Sequence, residues 1–238
     1  MKNNVREEYS SFHLSKASIH SYPTEWVIRT MLGSYPGLRL DKSRYPGGKV
    51  LDLGFGDGRN IQLLHNCGLA IHGVEVSEET CELVRGRLAG TGVAADLRVG
   101  SNARIPFEDA CFDYILACAS SYYIDNGGSF ADNLAEMSRV LKSGGYLIAN
   151  FPVFSPAPQI IDENFILKGC EPTADGHVII RNDVYGLRNG YKFKAFKDAT
   201  ELEQTLSPLF CDFSVGQMFD NYYGIQVNQL AVVCRKAA

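Results

Sequence analysis

The sequence predicts an α/β fold, a mostly parallel sheet with helices on its faces, and three observations carry that prediction. Short apolar runs alternate with helical patterns from about Lys49 to Phe151, which is how strand-helix-strand units read when each strand is covered by the helix after it. The first run, Val50 to Leu53, leads straight into a glycine-rich turn and then a helical stretch from Asn60 to Leu64. A length of 238 residues, 45% of them apolar, suits one large domain, or one domain with an insertion, burying roughly 70–75% of its unfolded surface.

In chain order, Ser21-Tyr22-Pro23 starts a helix through Trp26, Val27, Thr30 and Met31, and a Pro/Gly-rich link from Pro36 to Gly48 ends this N-terminal arm, residues 1–47. Strands are expected at Val50–Leu53, Ile71–Val76, Ala95–Val99, Phe112–Cys118 and Tyr146–Phe151. Ser77 caps a helix with Glu78 and Glu79 in its first turn and Arg85 and Arg87 in its last, charges that match the helix dipole. Cys81, Val84 and Leu88 form its buried stripe, and Gly90 stops it. A second helix begins at Ser129, puts Phe130, Leu134, Met137 and Leu141 on one face, and runs to Gly144-Gly145. Pro152, Pro156 and Pro158 then break the pattern. Residues 152–197 read as an insertion, with strands at Val178–Arg181 and Tyr191–Phe196 about a turn at Arg188-Asn189-Gly190. Asp198 and Glu201 form a capping box ahead of Leu202, Leu206 and Leu209, and strands Asp212–Met218 and Gln226–Cys234 close a core of residues 48–151 and 198–238.

Composition excludes several classes. With 23 Lys+Arg against 27 Asp+Glu the net charge is −4, and no basic block is present, so binding driven by nucleic-acid phosphates is not expected. Apolar stretches such as Tyr114 to Ala119 fall far short of the ~20 residues that cross a bilayer. Met1 to Ser10 is polar and has no signal-peptide core, which predicts a cytoplasmic chain. Seven scattered cysteines without a C-x-x-C pair read as reduced thiols, with neither a disulfide framework nor a metal site.

The chemistry is carried by Val50-Leu51-Asp52-Leu53-Gly54-Phe55-Gly56-Asp57-Gly58. Glycines at alternate positions permit a tight turn and let a ligand approach the backbone. Glu75 ends the next strand about twenty residues on, where a carboxylate can accept both hydroxyl protons of a ribose; favouring the adjacent helix N-terminus is its bland alternative. A dinucleotide fold wants G-x-G-x-x-G, whereas here Arg59 holds the third-glycine place. Asp52 and Asp57 would repel a pyrophosphate and suit a ligand bearing an ammonium and a sulfonium.

These residues resemble the class I S-adenosylmethionine-dependent methyltransferases. Besides the strand and loop, the likeness rests on Gly73-Val74-Glu75-Val76-Ser77, on Gly100 to Phe107 followed by Phe112-Asp113-Tyr114-Ile115, and on Arg139-Val140-Leu141-Lys142-Ser143-Gly144-Gly145. It implies a Rossmann-like, doubly wound seven-stranded sheet with an antiparallel C-terminal pair, and S-adenosylmethionine as cofactor. By it, Asp52, Gly54, Gly56 and Gly58 surround the methionine part, with Phe55, Asp57 and Asn60 in the same loop. Glu75 binds the ribose, Val76 and Ser77 border the adenine, Ser101, Asn102 and Ala103 meet its edge, and Cys118 and Ala119 lie near the sulfonium. Ser101 stands where many members have Asp, leaving Asn102 or the Ser101 hydroxyl to take the adenine amino proton.

The segment after the fourth strand, Ala117 to Tyr123, lacks the Asp/Asn-Pro-Pro-aromatic run of many amino-directed nucleic-acid enzymes. With the acidic charge, this favours a small-molecule acceptor, methylated on oxygen or nitrogen. Tyr122 and Tyr123 are candidates for lining its pocket, or for core packing. The insertion lies where the family grows a substrate lid and contributes His177, Arg181, Tyr185, Arg188 and Tyr191. His177 is the candidate general base, or else a structural histidine, and Arg181 a candidate substrate contact. Tyr22 either folds over the cofactor's methionine end or packs in the core. A nucleic-acid methyltransferase, a non-catalytic nucleoside-binding module of the same fold and a nicotinamide oxidoreductase are the competing readings.

Overall fold

A strand buried on both faces reads as an unbroken apolar run, and β1 (Lys49–Leu53) is buried from Val50 to Leu53. In the computed structural model, which describes residues 22–154 and 167–237, β1 pairs in parallel with β2 (Ala70–Glu75) on one side and β4 (Phe112–Ala117) on the other. β3 (Ala95–Val99) extends the sheet beyond β2, and β6 (Leu141–Pro152) extends it beyond β4, both in parallel. β10 (Phe210–Tyr222) and β11 (Ile225–Lys236) form an antiparallel pair, giving the order β10-β11-β6-β4-β1-β2-β3. The strand order reverses between β1 and β4, so a crevice opens beyond their carboxyl ends, where open α/β sheets bind ligands.

Alternation along the strands divides the apolar residues between two cores. Leu51, Leu53, Ile115 and Ala117 face one core with α4 (Phe130–Val140) and α5 (Ala199–Leu206). Val50, Tyr114 and Leu116 face the other, which holds residues of α1 (Glu25–Leu32), α2 (Ile61–Asn66) and α3 (Glu78–Leu88). The Ser77 hydroxyl caps α3 by accepting from Thr80 N, and Ser129 with Asp132 makes a full capping box on α4.

Three boundaries differ from the sequence expectation. α4 stops at Val140 and not at the glycine pair, because the carbonyls of Arg139 and Val140 accept from Ala110 N and Cys111 N, both at 2.9 Å, and Leu141 enters β6 opposite Phe112. The C-terminal hairpin runs past the rest of the sheet to a two-residue turn, Tyr223-Gly224, both with positive φ (52° and 90°). That is the primed turn favoured by strand twist, with Tyr in the place where Asn would signal it. At α5 only half the expected box forms: Asp198 accepts from Glu201 N, while the Glu201 carboxylate accepts from Lys197 N.

Three short strands of the segment after β6 join β5 (Tyr123–Ile124) in a second, four-stranded antiparallel sheet in the order β5, β9 (Lys192–Phe193), β8 (Val178–Ile179), β7 (Glu171–Pro172). Its strands have two residues each, shorter than the runs expected at 178–181 and 191–196. β5 follows directly on the turn after β4, so the small sheet hangs from the carboxyl end of the main one.

A Cβ at Gly73 in β2 would lie 2.6 Å from a Phe55 ring carbon and 2.7 Å from Leu97. Gly73→Ala is therefore expected to destabilise the chain by about 1–3 kcal/mol, the usual cost of overpacking a filled core. Urea denaturation measures it; an unchanged midpoint would mean that Phe55 moves aside freely.

Candidate functional site

The loop after β1 is built by its neighbours as much as for a ligand. Gly54 (φ +69°) donates its amide to Val74 O at 2.8 Å, and a Cβ there would fall 2.4 Å from the Cβ of Ser120. At Gly58 (φ +80°) a Cβ would lie 2.9 Å from Val84. The sequence reading gave the glycines a tight turn and ligand approach; packing against Ser120 and Val84 is a further demand at the first and third. The middle one, Gly56 (φ +56°), donates its amide to Glu75 Oε1 at 3.0 Å. Phe55, expected among the cofactor residues, turns its ring into the core beside Gly73, 2% exposed, so only its backbone belongs to the loop.

Glu75 is 4% exposed, and its second oxygen accepts from Val76 N at 2.7 Å. Burial pushes its carboxyl up, and the two backbone N–H groups oppose that. An ionised carboxylate offers about four acceptor sites, so two bonds to the loop leave capacity for two ribose hydroxyls. Asp52 is different. It is fully buried and neither oxygen has a hydrogen-bond partner, nor does Oδ1 of the adjacent Asn60. Burial raises the Asp52 carboxyl to about 7; the Asn60 side chain and the Arg59 guanidinium pull it down, while Glu75 and Asp57 push it further up. Asp57 is not its equal, because Arg59 Nε lies 3.2 Å from its carboxylate. The expected carboxylate pair is thus one neutralised acid and one bare one. The Asn60 side chain is near enough to favour the Asp52 carboxylate but makes no well-formed hydrogen bond to it, and three buried acceptor atoms left in that way fit a cation that brings its own N–H groups, such as the ammonium of a methionine moiety.

The other strand ends converge here. Ser101 pairs with Arg104 in a tight bridge, and next to it Asn102 gives its Nδ2 to the carbonyls of Ser120 (2.8 Å) and Tyr123 (3.0 Å). That leaves its amide oxygen to accept an adenine amino proton. Ala103 and Val76 are half-buried beside these groups. The Ser77 hydroxyl is occupied as the α3 cap. At the end of β4, burial pushes the Cys118 thiol up, and its Sγ lies 3.5 Å from Thr24 Oγ1. Ala119 stands at φ +57° with its amide bonded to Asn150 Oδ1 at 2.7 Å. The N-terminal arm reaches the site through Thr24, a residue the sequence did not single out. Tyr22 is 77% exposed and so does not pack in the core.

Of the substrate candidates, Tyr122 is 1% exposed, stacked on Tyr123 and edge-on to Phe193, and belongs to the core. Tyr123 is half-buried among Tyr191 and Phe193. His177 does not join the glycine loop: it sits in the β7–β8 hairpin with Nδ1 3.0 Å from Asp175, which also binds Lys192 Nζ at 2.5 Å. Arg181 pairs with Glu171 on the exposed outer edge of the small sheet, 2.6 Å apart, away from the strand ends. Among the insertion's charged residues Asp183 and Lys194 are buried, and the half-buried Arg188 lies 2.8 Å from Asp183.

Residues 51–149 match the methyltransferase-domain family model, in keeping with the likeness to class I S-adenosylmethionine-dependent methyltransferases that the motifs carry. S-adenosylmethionine is the cofactor such a domain takes. Among relatives, the chain is 36% identical over 124 residues to a demethylmenaquinone methyltransferase of Corynebacterium kroppenstedtii, covering 49% of each. It is 33% identical over 116 residues to a protein-L-isoaspartate O-methyltransferase of Methylorubrum populi, covering 49% of this chain and 50% of that one. It spans about half the length of these curated relatives. A solved methyltransferase of Methanosarcina mazei shares the fold, with TM-score 0.62 at 19% identity over 86% of this chain and 98% of that one.

The bare carboxyl has a pH consequence. Folded, Asp52 keeps its proton up to about pH 7, whereas an unfolded Asp releases it near 4. The folded chain therefore holds the extra proton between those values, and stability present at low pH is lost as pH rises through about 7. Denaturation at pH 5 and pH 8 should show a smaller loss in Asp52→Asn than in the native chain; equal losses would mean that Asp52 ionises normally.

Proposed function

We propose that the chain transfers the methyl group of S-adenosylmethionine to oxygen or nitrogen of a small metabolite, releasing S-adenosylhomocysteine. The observation that carries this reading is the trio of donorless acceptors, two on Asp52 and one on Asn60, beneath the glycine turn. They sit beside the strand-terminal Glu75, whose carboxylate already holds the turn through Gly56. A dinucleotide phosphate, itself an acceptor, would find no donor in these three atoms, whereas an ammonium brings its own N–H groups to them.

Bound S-adenosylmethionine would supply an electrophilic methyl on a sulfonium. Asp52 and Asn60 hold the ammonium, Glu75 fixes the ribose, and the Asn102 amide oxygen takes the adenine amino group. Cys118 and Ala119 border the reacting end, with Thr24 of the arm over them. Displacement at a methyl needs nucleophile, carbon and sulfur in line, so alignment and exclusion of water supply much of the rate. His177, tied to Asp175 in the lid hairpin, has no part in this scheme.

The arm and the β5-β9-β8-β7 sheet act as covers, and all 238 residues serve one methyltransferase domain. A small acceptor is supported by the demethylmenaquinone relative and by the −4 charge without a basic block. That none of the seven cysteines is bonded to another supports a reducing compartment such as the cytoplasm. Among the described residues no helix is long and apolar enough to cross a membrane.

Calorimetry with S-adenosylmethionine and S-adenosylhomocysteine tests the first half: both should bind, and Glu75→Ala should weaken each by about tenfold or more, the loss of roughly 1.4 kcal/mol or more of ribose contact. No binding by either ligand would sink the proposal. A radiolabelled methyl donor offered with phenols, amines, quinols and, separately, RNA tests the second half; transfer to RNA alone would replace the small acceptor with a nucleic acid.

A further inference from the structure

The turn from β4 to β5, residues 118–123, is gripped from three elements by amide side chains. Asn102, beyond β3, donates to the carbonyls of Ser120 and Tyr123. Asn133 of α4, 1% exposed, donates to those of Ser121 (3.0 Å) and Tyr123 (2.8 Å). Asn150 of β6 accepts from the Ala119 amide, and its own Nδ2 is held by Gln229 Oε1 of β11 at 2.5 Å. The Ser120 hydroxyl adds a bond to Leu53 O, the last residue of β1. Turns at a surface leave such groups to water; here the carbonyls of Ser120, Ser121 and Tyr123 and the amide of Ala119 are held by side chains instead, though the Ser121 hydroxyl and the Asn133 amide oxygen are buried without a partner.

Asn150 is the costly member. It interrupts an otherwise apolar stretch of β6 in which Leu147, Ile148, Ala149 and Phe151 are all 0% exposed. An amide buried among such residues is tolerated only with its hydrogen bonds made. Its acceptor is spent on Ala119, an alanine held at φ +57°, and its donor on a partner that stops the amide from flipping. Backbone held in a sparsely populated region persists where its surroundings over-determine it, and such places concentrate at functional sites.

We infer that Asn150, backed by Gln229, is a positioning residue for methyl transfer: it locks the Ala119 amide so that the 118–120 turn presents one fixed wall to the methyl-bearing end of the cofactor. The inference rests on the proposed function, which puts Cys118 and Ala119 beside the sulfonium. Ser120 passes the same constraint to the glycine loop, since its Cβ occupies the space that Gly54 leaves free.

The test uses the full chain with S-adenosylhomocysteine in a calorimeter, [methyl-13C]S-adenosylmethionine in NMR, and hydrogen exchange over residues 118–123. In Asn150→Leu, exchange of the segment should accelerate by about tenfold or more. The bound methyl resonance should broaden or move toward its free value, while S-adenosylhomocysteine affinity stays within about threefold. Asn150→Asp, which keeps an acceptor for Ala119 N, should restore the narrow line, and Gln229→Leu should fall between. An unchanged methyl line in folded Asn150→Leu overturns the inference, as does equal disturbance in Asn150→Asp. Should Asn150→Leu not fold, Gln229→Leu decides by the same two readouts, and native values there also overturn it. If the native chain binds no S-adenosylhomocysteine, the proposed function itself falls and the inference with it.

Discussion

A carboxylate sealed under the first glycine turn without a hydrogen-bond donor is the constraint on which the rest of the site depends. Burying an unpaired charge costs several kcal/mol, and the chain meets that cost by letting Asp52 keep its proton up to about pH 7. The neighbouring acids take the opposite course. Asp57 is neutralised by Arg59, and Glu75 spends one oxygen on Gly56 N and the other on Val76 N. Three acids within one loop and strand end thus occupy three electrostatic states, and only one is left for an incoming cation to complete.

The same loop shows that a ligand motif and a packing motif can share residues. Gly54 exists because Ser120 stands where its Cβ would be, and Gly58 because Val84 does. Gly56, at φ +56°, offers its amide to Glu75. The turn's shape is therefore set by β4, α3 and β2 before any ligand arrives, which is what preorganisation requires. The Phe55 ring, packed beside Gly73, pins the loop from below.

Much of the sheet was legible in the sequence, because its signals are local. The order of apolar runs and caps located β1 to β4, α3 and the start of α4, and the alternate glycines with Glu75 marked the turn after β1 and the end of β2, which the Gly56 amide joins. What was not legible is set by tertiary contacts. Leu141 has helical spacing after Phe130, Leu134 and Met137, yet strand pairing with Phe112 takes it from α4. Tyr223 hides a primed turn that only its positive φ reveals. His177 and Arg181 fit their expected roles in isolation, but Asp175, itself held by Lys192, lies beside His177, and Glu171 of the neighbouring strand pairs with Arg181. Asn133 and Asn150 carry no motif at all, and their role emerges only from the carbonyls and amide that they face.

The position of β5 ties these observations together. A lid attached by a flexible linker could open independently of the sheet, but here the small sheet begins at Tyr123, whose carbonyl is already fixed by Asn102 and Asn133. The charged residues farther out are spent on one another: Asp175 with Lys192, Glu171 with Arg181, Asp183 with Arg188, and Lys194 with Glu201. What joins the small sheet to the turn is aromatic, the Tyr122, Tyr123, Tyr191 and Phe193 rings at centroid separations of 4.3 to 6.5 Å. Edge-on and stacked rings of this kind hold by area and quadrupole and do not depend on salt or on titration near neutrality. The small sheet is thus held to the turn by ring contacts and by the β5–β9 pairing, with the Lys194–Glu201 ion pair reaching back to α5.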